Sequence, residues 1–411
     1  MKKRLKNLII FFSIVGPGII TSNAGNDAGG IATYSSIGAK FGYEMIWGLF
    51  IITISLAIVQ EMGARMAVVT GKGLSDLIRE QFGVRMTLLA MLTLLIANLG
   101  VTIAEFAGIA AALELLGINK YIAVPLVALA IWLILTKGSY STVEKIFTLL
   151  SVVFISYIFS AFLAKPEWGN VLKQSVTPVF RWNKEFILVF IGMIGTTISP
   201  YMQFYLQSSI VDKGITLKDY KYTRWDVLIG SFWQDFVAFF IIVSTAAVLY
   251  KNGIAIETAE QAAAALKPFA GNFAYILFAA GLFGASALAA GVLPLSTSYA
   301  ICEAFGFESG LNNKLSDAPV FYSIYTFMIA LSAGIILIPK VSLIGIMMLS
   351  QQINGLLLPI ILIFMLKLIN NKHVMGSHVN GRLYNALAWA TTFFIILLAV
   401  ILLAMTAADL F

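Results

Sequence analysis

Cysteine is almost absent from this chain of 411 residues, which carries one, Cys302. A single thiol excludes an internal disulfide framework and any cysteine-cluster metal site. The two histidines, His373 and His378, fall in one polar stretch, so histidine-rich metal or proton chemistry within the apolar segments is excluded. Charge is scarce as well. Only 11% of the residues are charged, against roughly 25% in soluble domains. What fills the chain instead is apolar, with 60% hydrophobic residues. A soluble enzyme, a secreted disulfide scaffold and a disordered chain are all excluded. A membrane helix takes about 20 apolar residues, so the length accommodates about ten to twelve spans. The composition is that of an all-α polytopic membrane protein.

The net charge of +7 reads as an excess of Lys and Arg in cytoplasmic loops, with the bilayer rather than nucleic acid as partner. The opening MKKRLK before an apolar run resembles a signal peptide. The run continues too far, with no small-residue cleavage site before Asp27, so it reads as a retained first span. Apolar runs give eleven spans, about 8–34, 42–65, 86–113, 121–136, 146–164, 186–209, 226–250, 269–304, 319–338, 341–367 and 383–408. A cytoplasmic N-terminus places the basic 6–7 loop, with Arg65, Lys72, Arg79 and Arg85 of the 2–3 loop, on the inside. An odd number of crossings leaves Phe411 outside. No linker interrupts the chain, so residues 1–411 are expected to form one membrane unit.

Two spans are abnormal. The first, GPGIITSNAGNDAGGIATY, holds Gly16, Pro17, Gly18, Gly25, Gly29 and Gly30 around Asn23, Asn26 and Asp27. The sixth, IGMIGTTISPYMQFYLQSS, holds Gly192, Gly195 and Pro200 beside Thr196, Thr197 and Ser199. Unwound backbone survives in lipid only where it lines a buried site. Interruptions at matching places in two halves point to an inverted-repeat transporter. Spans 1–5 (about 8–164) and 6–10 (about 186–367) form the repeats, and the last span (about 383–408) is an addition; two ordinary kinked helices are the plainer alternative.

Within the spans, away from their ends, lie three acids, Asp27, Glu105 and Asp235, and no Lys, Arg or His. An ionised carboxylate costs at least ~2.5 kcal/mol in the bilayer, so each must be protonated, hydrated or paired with a cation. Asp27 sits where backbone carbonyls are also free, and carboxylate, carbonyl, hydroxyl and amide oxygens suit hard cations such as Mg2+, Ca2+ or Mn2+. Glu105 reads equally as a proton acceptor or as a buried acid bonded to backbone, and Asp235 as a structural acid between helices. Gln351, Gln352 and Asn354 interrupt the tenth span and offer amide oxygens, although amides also join membrane helices. Ser296, Thr297 and Ser298 offer hydroxyls of the kind that line a sodium site. No nucleotide loop or catalytic triad is visible, so no enzyme and no resident cofactor is expected.

With these motifs in view, the sequence resembles the NRAMP family of divalent-metal transporters over nearly its whole length. The resemblance rests on GPG at Gly16–Gly18 followed by Asp27-Ala28-Gly29-Gly30, on QEMGARMAVVTGKGLSDLIRE from Gln60 to Glu80, and on GTTISP from Gly195 to Pro200. LSQ at Leu349–Gln351 and NKHVMG at Asn371–Gly376 complete it. It implies a LeuT-type inverted repeat, Asp27 as central metal ligand, Thr196 as carbonyl ligand and Gln351 as ligand in some states. Departures are informative. Gly30 replaces the family's Asn ligand and Ala28 its Pro. Ser199 replaces the methionine that favours softer metals, Tyr201 a histidine, and Thr102 one acid of a pair that leaves Glu105. Met202, one turn past Ser199, offers a displaced thioether. Loss of sulfur and of an amide implies a roomier, oxygen-rich site, and loss of His and acid removes much of a proton route. The pattern looks like the magnesium-transporting branch, with Mg2+ or Mn2+ as transported substrate and no proton coupling. The compact chain without appended domains reads as a monomer of a prokaryotic inner membrane. The alternatives are a proton-coupled Mn2+/Fe2+ importer using Met202 and Glu105, an ion-coupled amino-acid transporter of the same fold, and a channel.

Overall fold

The computed structural model describes Gly18, Thr21 and residues 24–137, 155–310 and 314–408. Most of the first span's opening half, with Gly16, Pro17 and Asn23, lies outside these residues, as does 146–154 of the fifth. The principal helices are α1 (Ala28–Phe41), α2 (Ile46–Thr70), α3 (Leu74–Leu115), α4 (Lys120–Lys137) and α5 (Ser156–Leu163). There follow α6 (Trp168–Val176), α7 (Lys184–Thr197), α8 (Pro200–Asp212), α9 (Tyr220–Val248), α10 (Ala274–Phe305), α11 (Pro319–Ile336), α12 (Leu343–Ile369) and α13 (Arg382–Ala408). Eight helical stretches among the described residues are long and apolar enough to cross a membrane.

The two expected interruptions are present. A short 3-10 turn, Ala24–Asn26, precedes α1, and Asp27, extended at φ −73° and ψ −177°, caps it. The sixth span divides at Ile198 and Ser199 into α7 and α8, with Pro200 opening α8. Proline fits a first helical turn because it has no N–H to leave unpaired. Several boundaries depart from the sequence reading, among them these three. α1 runs on to Phe41, because the chain turns only at Gly42 (φ 58°). α3 begins at Leu74 and is bent at Gly83, whose φ of 72° suits a residue without Cβ. The tenth span is not interrupted, since α12 runs unbroken through Gln351, Gln352 and Asn354.

Burial sorts by face. On α3, Leu88, Leu92 and Ile96 are exposed to the surroundings while Ala90, Met91, Leu94 and Ala97 are buried, the arrangement of a helix with one face to lipid. α3 packs on α10 and α12, α9 on α1 and α2, and α7 on α12. A Cβ on Gly195 of α7 would strike the Gln351 carbonyl and the Gly355 amide of α12, and one on Gly355 would strike the Ile191 carbonyl. These backbones therefore touch, as small residues permit in membrane bundles. That contact brings Gln351 to the break between α7 and α8.

Candidate metal site

Asp27 is 3% exposed and lies at the start of α1. Its Oδ1 accepts from the Gly30 amide at 2.6 Å and from Gln351 Nε2 at 3.5 Å. Gln351 Oε1 accepts from Asn354 Nδ2 at 3.1 Å, and the same Nδ2 reaches Ser199 Oγ at 3.5 Å. Ser199 donates its proton to the Gly195 carbonyl at 2.8 Å. Thr196 Oγ1 donates to the Gly25 carbonyl at 3.4 Å, joining the two breaks. The residue four beyond Thr196 is Pro200, which has no N–H, so the Thr196 carbonyl lacks its helical donor. Asp27, Gly30, Thr196, Ser199 and Gln351 thus form one buried group between α1, the α7–α8 break and α12.

The secondary candidates divide. Glu105 of α3, fully buried, accepts from the Ala28 amide through Oε2 at 3.4 Å and faces Ser286 of α10, so it adjoins Asp27. Asn26 donates to the Gln234 carbonyl at 3.3 Å, while its own Oδ1 has no hydrogen bond among the described residues. Met202 is buried one turn into α8, outside the hydrogen-bonded group. Gln352 packs over Gly192 instead of facing Asp27. Asp235 of α9 stands apart, facing Thr53 of α2 and neighbouring Tyr34. Tyr201 lies near both Asp27 and Glu105. The three hydroxyls of α10 are turned inward along their own helix. Ser296 and Thr297 donate to the Leu293 carbonyl and Ser298 to that of Pro294.

The size of the site departs from the expectation that glycine at position 30 enlarges it. A Cβ there would lie 2.9 Å from Thr196 Oγ1 and 3.3 Å from Asp27 Oδ1, and would also press on the Gly25 carbonyl. The space is already filled by the Thr196–Gly25 contact. Gly30 contributes its amide to Asp27 and lets the two breaks approach.

Sequence reasoning missed several polar groups. Gln234 donates to the Thr197 carbonyl at 3.2 Å and lies over Gly25. Tyr34 and Thr197 hydroxyls are 2.8 Å apart. Glu61 and Arg65 form a buried ion pair at 3.0 Å. The Gln-Asp pair inside an apolar α9, and the i,i+4 spacing of Glu61 and Arg65, were the available signals.

A family profile, Nramp (natural resistance-associated macrophage protein-like), matches residues 18–405. The chain belongs to the Nramp family. Among curated relatives, a divalent metal cation transporter MntH of Clostridium acetobutylicum is 29% identical, over 98% of this chain and 93% of its own. The MntH of Bacillus subtilis is 26% identical, over 95% of this chain and 92% of its own. Among solved structures, the Eremococcus coleocola manganese transporter has a TM-score of 0.73 at 21% identity, covering 96% of this chain and 86% of that one. The latter likeness bears on the fold. Structural neighbours also include transporters of the LeuT type, so this Nramp-family chain is an integral membrane protein of LeuT-type architecture with an additional final helix.

Proposed function

We propose that the chain transports divalent metal cations by alternating access, with the ion as substrate, and that Asp27 holds the ion. The observation carrying this reading is the meeting of a buried carboxylate, a carbonyl deprived of its donor and a primary amide where two helix interruptions cross. Curated relatives named divalent metal cation transporters support it. The Asp27 carboxylate, the Thr196 carbonyl, Gln351 Oε1 and Ser199 Oγ supply the ligands. Gly30 orients Asp27. Gln351 now turns Nε2 towards Asp27, so its amide must rotate to offer oxygen, exchanging a hydrogen bond for a metal contact. The two repeats, about 8–164 and 186–367, move about this site. A single copy of the chain suffices, with its N-terminus cytoplasmic and its C-terminus outside a prokaryotic plasma membrane.

An oxygen set without a thioether at Ser199 favours hard ions, so Mg2+ and Mn2+ are the substrates of this reading. With Thr102 and Tyr201 at the positions of an acid and a histidine in the related pattern, transport proceeds without obligatory proton movement. A second reading, a proton-coupled Mn2+/Fe2+ importer, is favoured by the burial of Glu105 beside Asp27. Reconstitution in liposomes, with a trapped metal indicator and an internal pH probe, separates the two. The first reading expects uptake of both ions at constant internal pH. Mn2+ uptake with acidification and no Mg2+ uptake establishes the second.

A further inference from the structure

Asp235 is 3% exposed in the middle of α9, and neither of its carboxylate oxygens has a hydrogen-bond donor among the described residues. A buried carboxylate at membrane depth demands compensation. The hydroxyls around it are engaged elsewhere in this arrangement. Thr53 Oγ1, which faces Asp235, donates to the Leu49 carbonyl at 2.8 Å. Thr197 Oγ1 donates to the Met193 carbonyl at 2.8 Å, so in its contact with Tyr34 it is the acceptor and Tyr34 the donor. Gln234, also beside Tyr34, spends Nε2 on the Thr197 carbonyl and leaves Oε1 without a partner among the described residues. What neighbours Asp235 between α1, α2 and α9 is therefore a set of oxygen lone pairs from Thr53 and Tyr34.

We infer that this set is a second cation site, separate from Asp27, and that it takes a monovalent alkali cation. A proton on Asp235 would satisfy one carboxylate oxygen by donating to a hydroxyl and leave the other bare. An alkali cation contacts both oxygens together with the neighbouring lone pairs, the ligands hard cations prefer. One carboxylate balances one positive charge, whereas a divalent ion would leave an excess in a buried position. Thr53 bridges α2 to the ion, Tyr34 bridges α1, and α9 supplies the charge, so occupancy ties together three helices, one of which begins at Asp27.

The test uses the purified full-length chain in detergent, with thermal unfolding measured in NaCl, KCl or choline chloride at fixed pH and ionic strength and without divalent metal. Wild type is expected to unfold at a higher temperature in NaCl or KCl than in choline chloride. Asp235→Asn should lose this difference yet keep stabilisation by added Mn2+, and Asp27→Ala should show the converse. Thr53→Val keeps the charge and guards against a misfolded Asp235→Asn. It should raise the alkali-ion concentration for half-maximal stabilisation roughly ten- to a hundredfold, as loss of a supporting group does at metal sites. Equal unfolding of wild type in all three salts overturns the inference. So does an alkali-ion response that survives in Asp235→Asn, or a response to acid alone that Asp235→Asn abolishes. Failure of Mn2+ to stabilise wild type bears on the Asp27 reading and leaves the alkali-ion result standing.

Discussion

On the proposed function, Ser199 and Gly30 decide what the Asp27 site discriminates. Ser199 has one hydroxyl, committed as donor to the Gly195 carbonyl, and offers only oxygen lone pairs to the site. Ser199→Met introduces a thioether, which favours softer ions. The expected outcome is a rise in Cd2+ and Mn2+ transport relative to Mg2+, measured by competitive uptake; an unchanged ratio means the side chain does not face the ion. At position 30 any side chain meets Thr196 Oγ1 and Asp27 Oδ1. Gly30→Ala should therefore lower both metal uptake and thermal stability, read in one preparation by uptake and by unfolding. Asp27 itself was legible from its setting alone, an acid among glycines in an apolar run. The tightness around Gly30 was not, because it arises from Thr196, 166 residues away in the chain, closing on the Gly25 carbonyl.

At the scale of the element, the break between α7 and α8 depends on Pro200. Replacing it restores an N–H to the Thr196 carbonyl and lets helix continue through Ser199. Pro200→Ala should impair uptake without unfolding the protein, because the gained helical bond stabilises the segment that the site needs unwound. Circular dichroism and uptake on the same sample check this, and intact transport would remove the break from the mechanism. The contact of α7 with α12 depends on glycine at both partners. Gly195→Val or Gly355→Val forces the backbones apart and should cost about 1–3 kcal/mol or more by overpacking, whereas Gly381, with open space beyond it, should tolerate alanine. Glycine, proline and apolar length made the elements readable. The long run of α12 through three amides did not show, because polar residues on one buried face do not interrupt a helix whose backbone bonds are complete.

Across the molecule, a buried pair ties distant segments together. Glu61 of α2 accepts from Arg65 and from the Tyr220 hydroxyl at the start of α9. Arg65 donates to the carbonyls of His378 and Val379 and to Asn380 Oδ1 at 2.5 Å, with Tyr384 of α13 beneath it at 5.6 Å. Removing one member of a buried pair costs about 3–5 kcal/mol because the other charge stays behind. Glu61→Ala should thus lower the unfolding temperature far more than loss of the exposed Arg181–Glu44 pair, for which about 0–1 kcal/mol is usual. Comparable small shifts for both would show that the network carries no such burden. The sequence placed Arg65 in a cytoplasmic loop; α2 instead extends to Thr70 and folds it back against the segment before α13.

On the proposed function, a divalent cation crosses the membrane by way of the Asp27 carboxylate. Mn2+ uptake into liposomes by wild type and by Asp27→Asn, at equal protein content and verified folding, tests it most directly. The substitution preserves shape and removes only the charge and one oxygen. Metal-specific uptake is expected of wild type, and none above protein-free vesicles of Asp27→Asn. Undiminished uptake by the variant would contradict it.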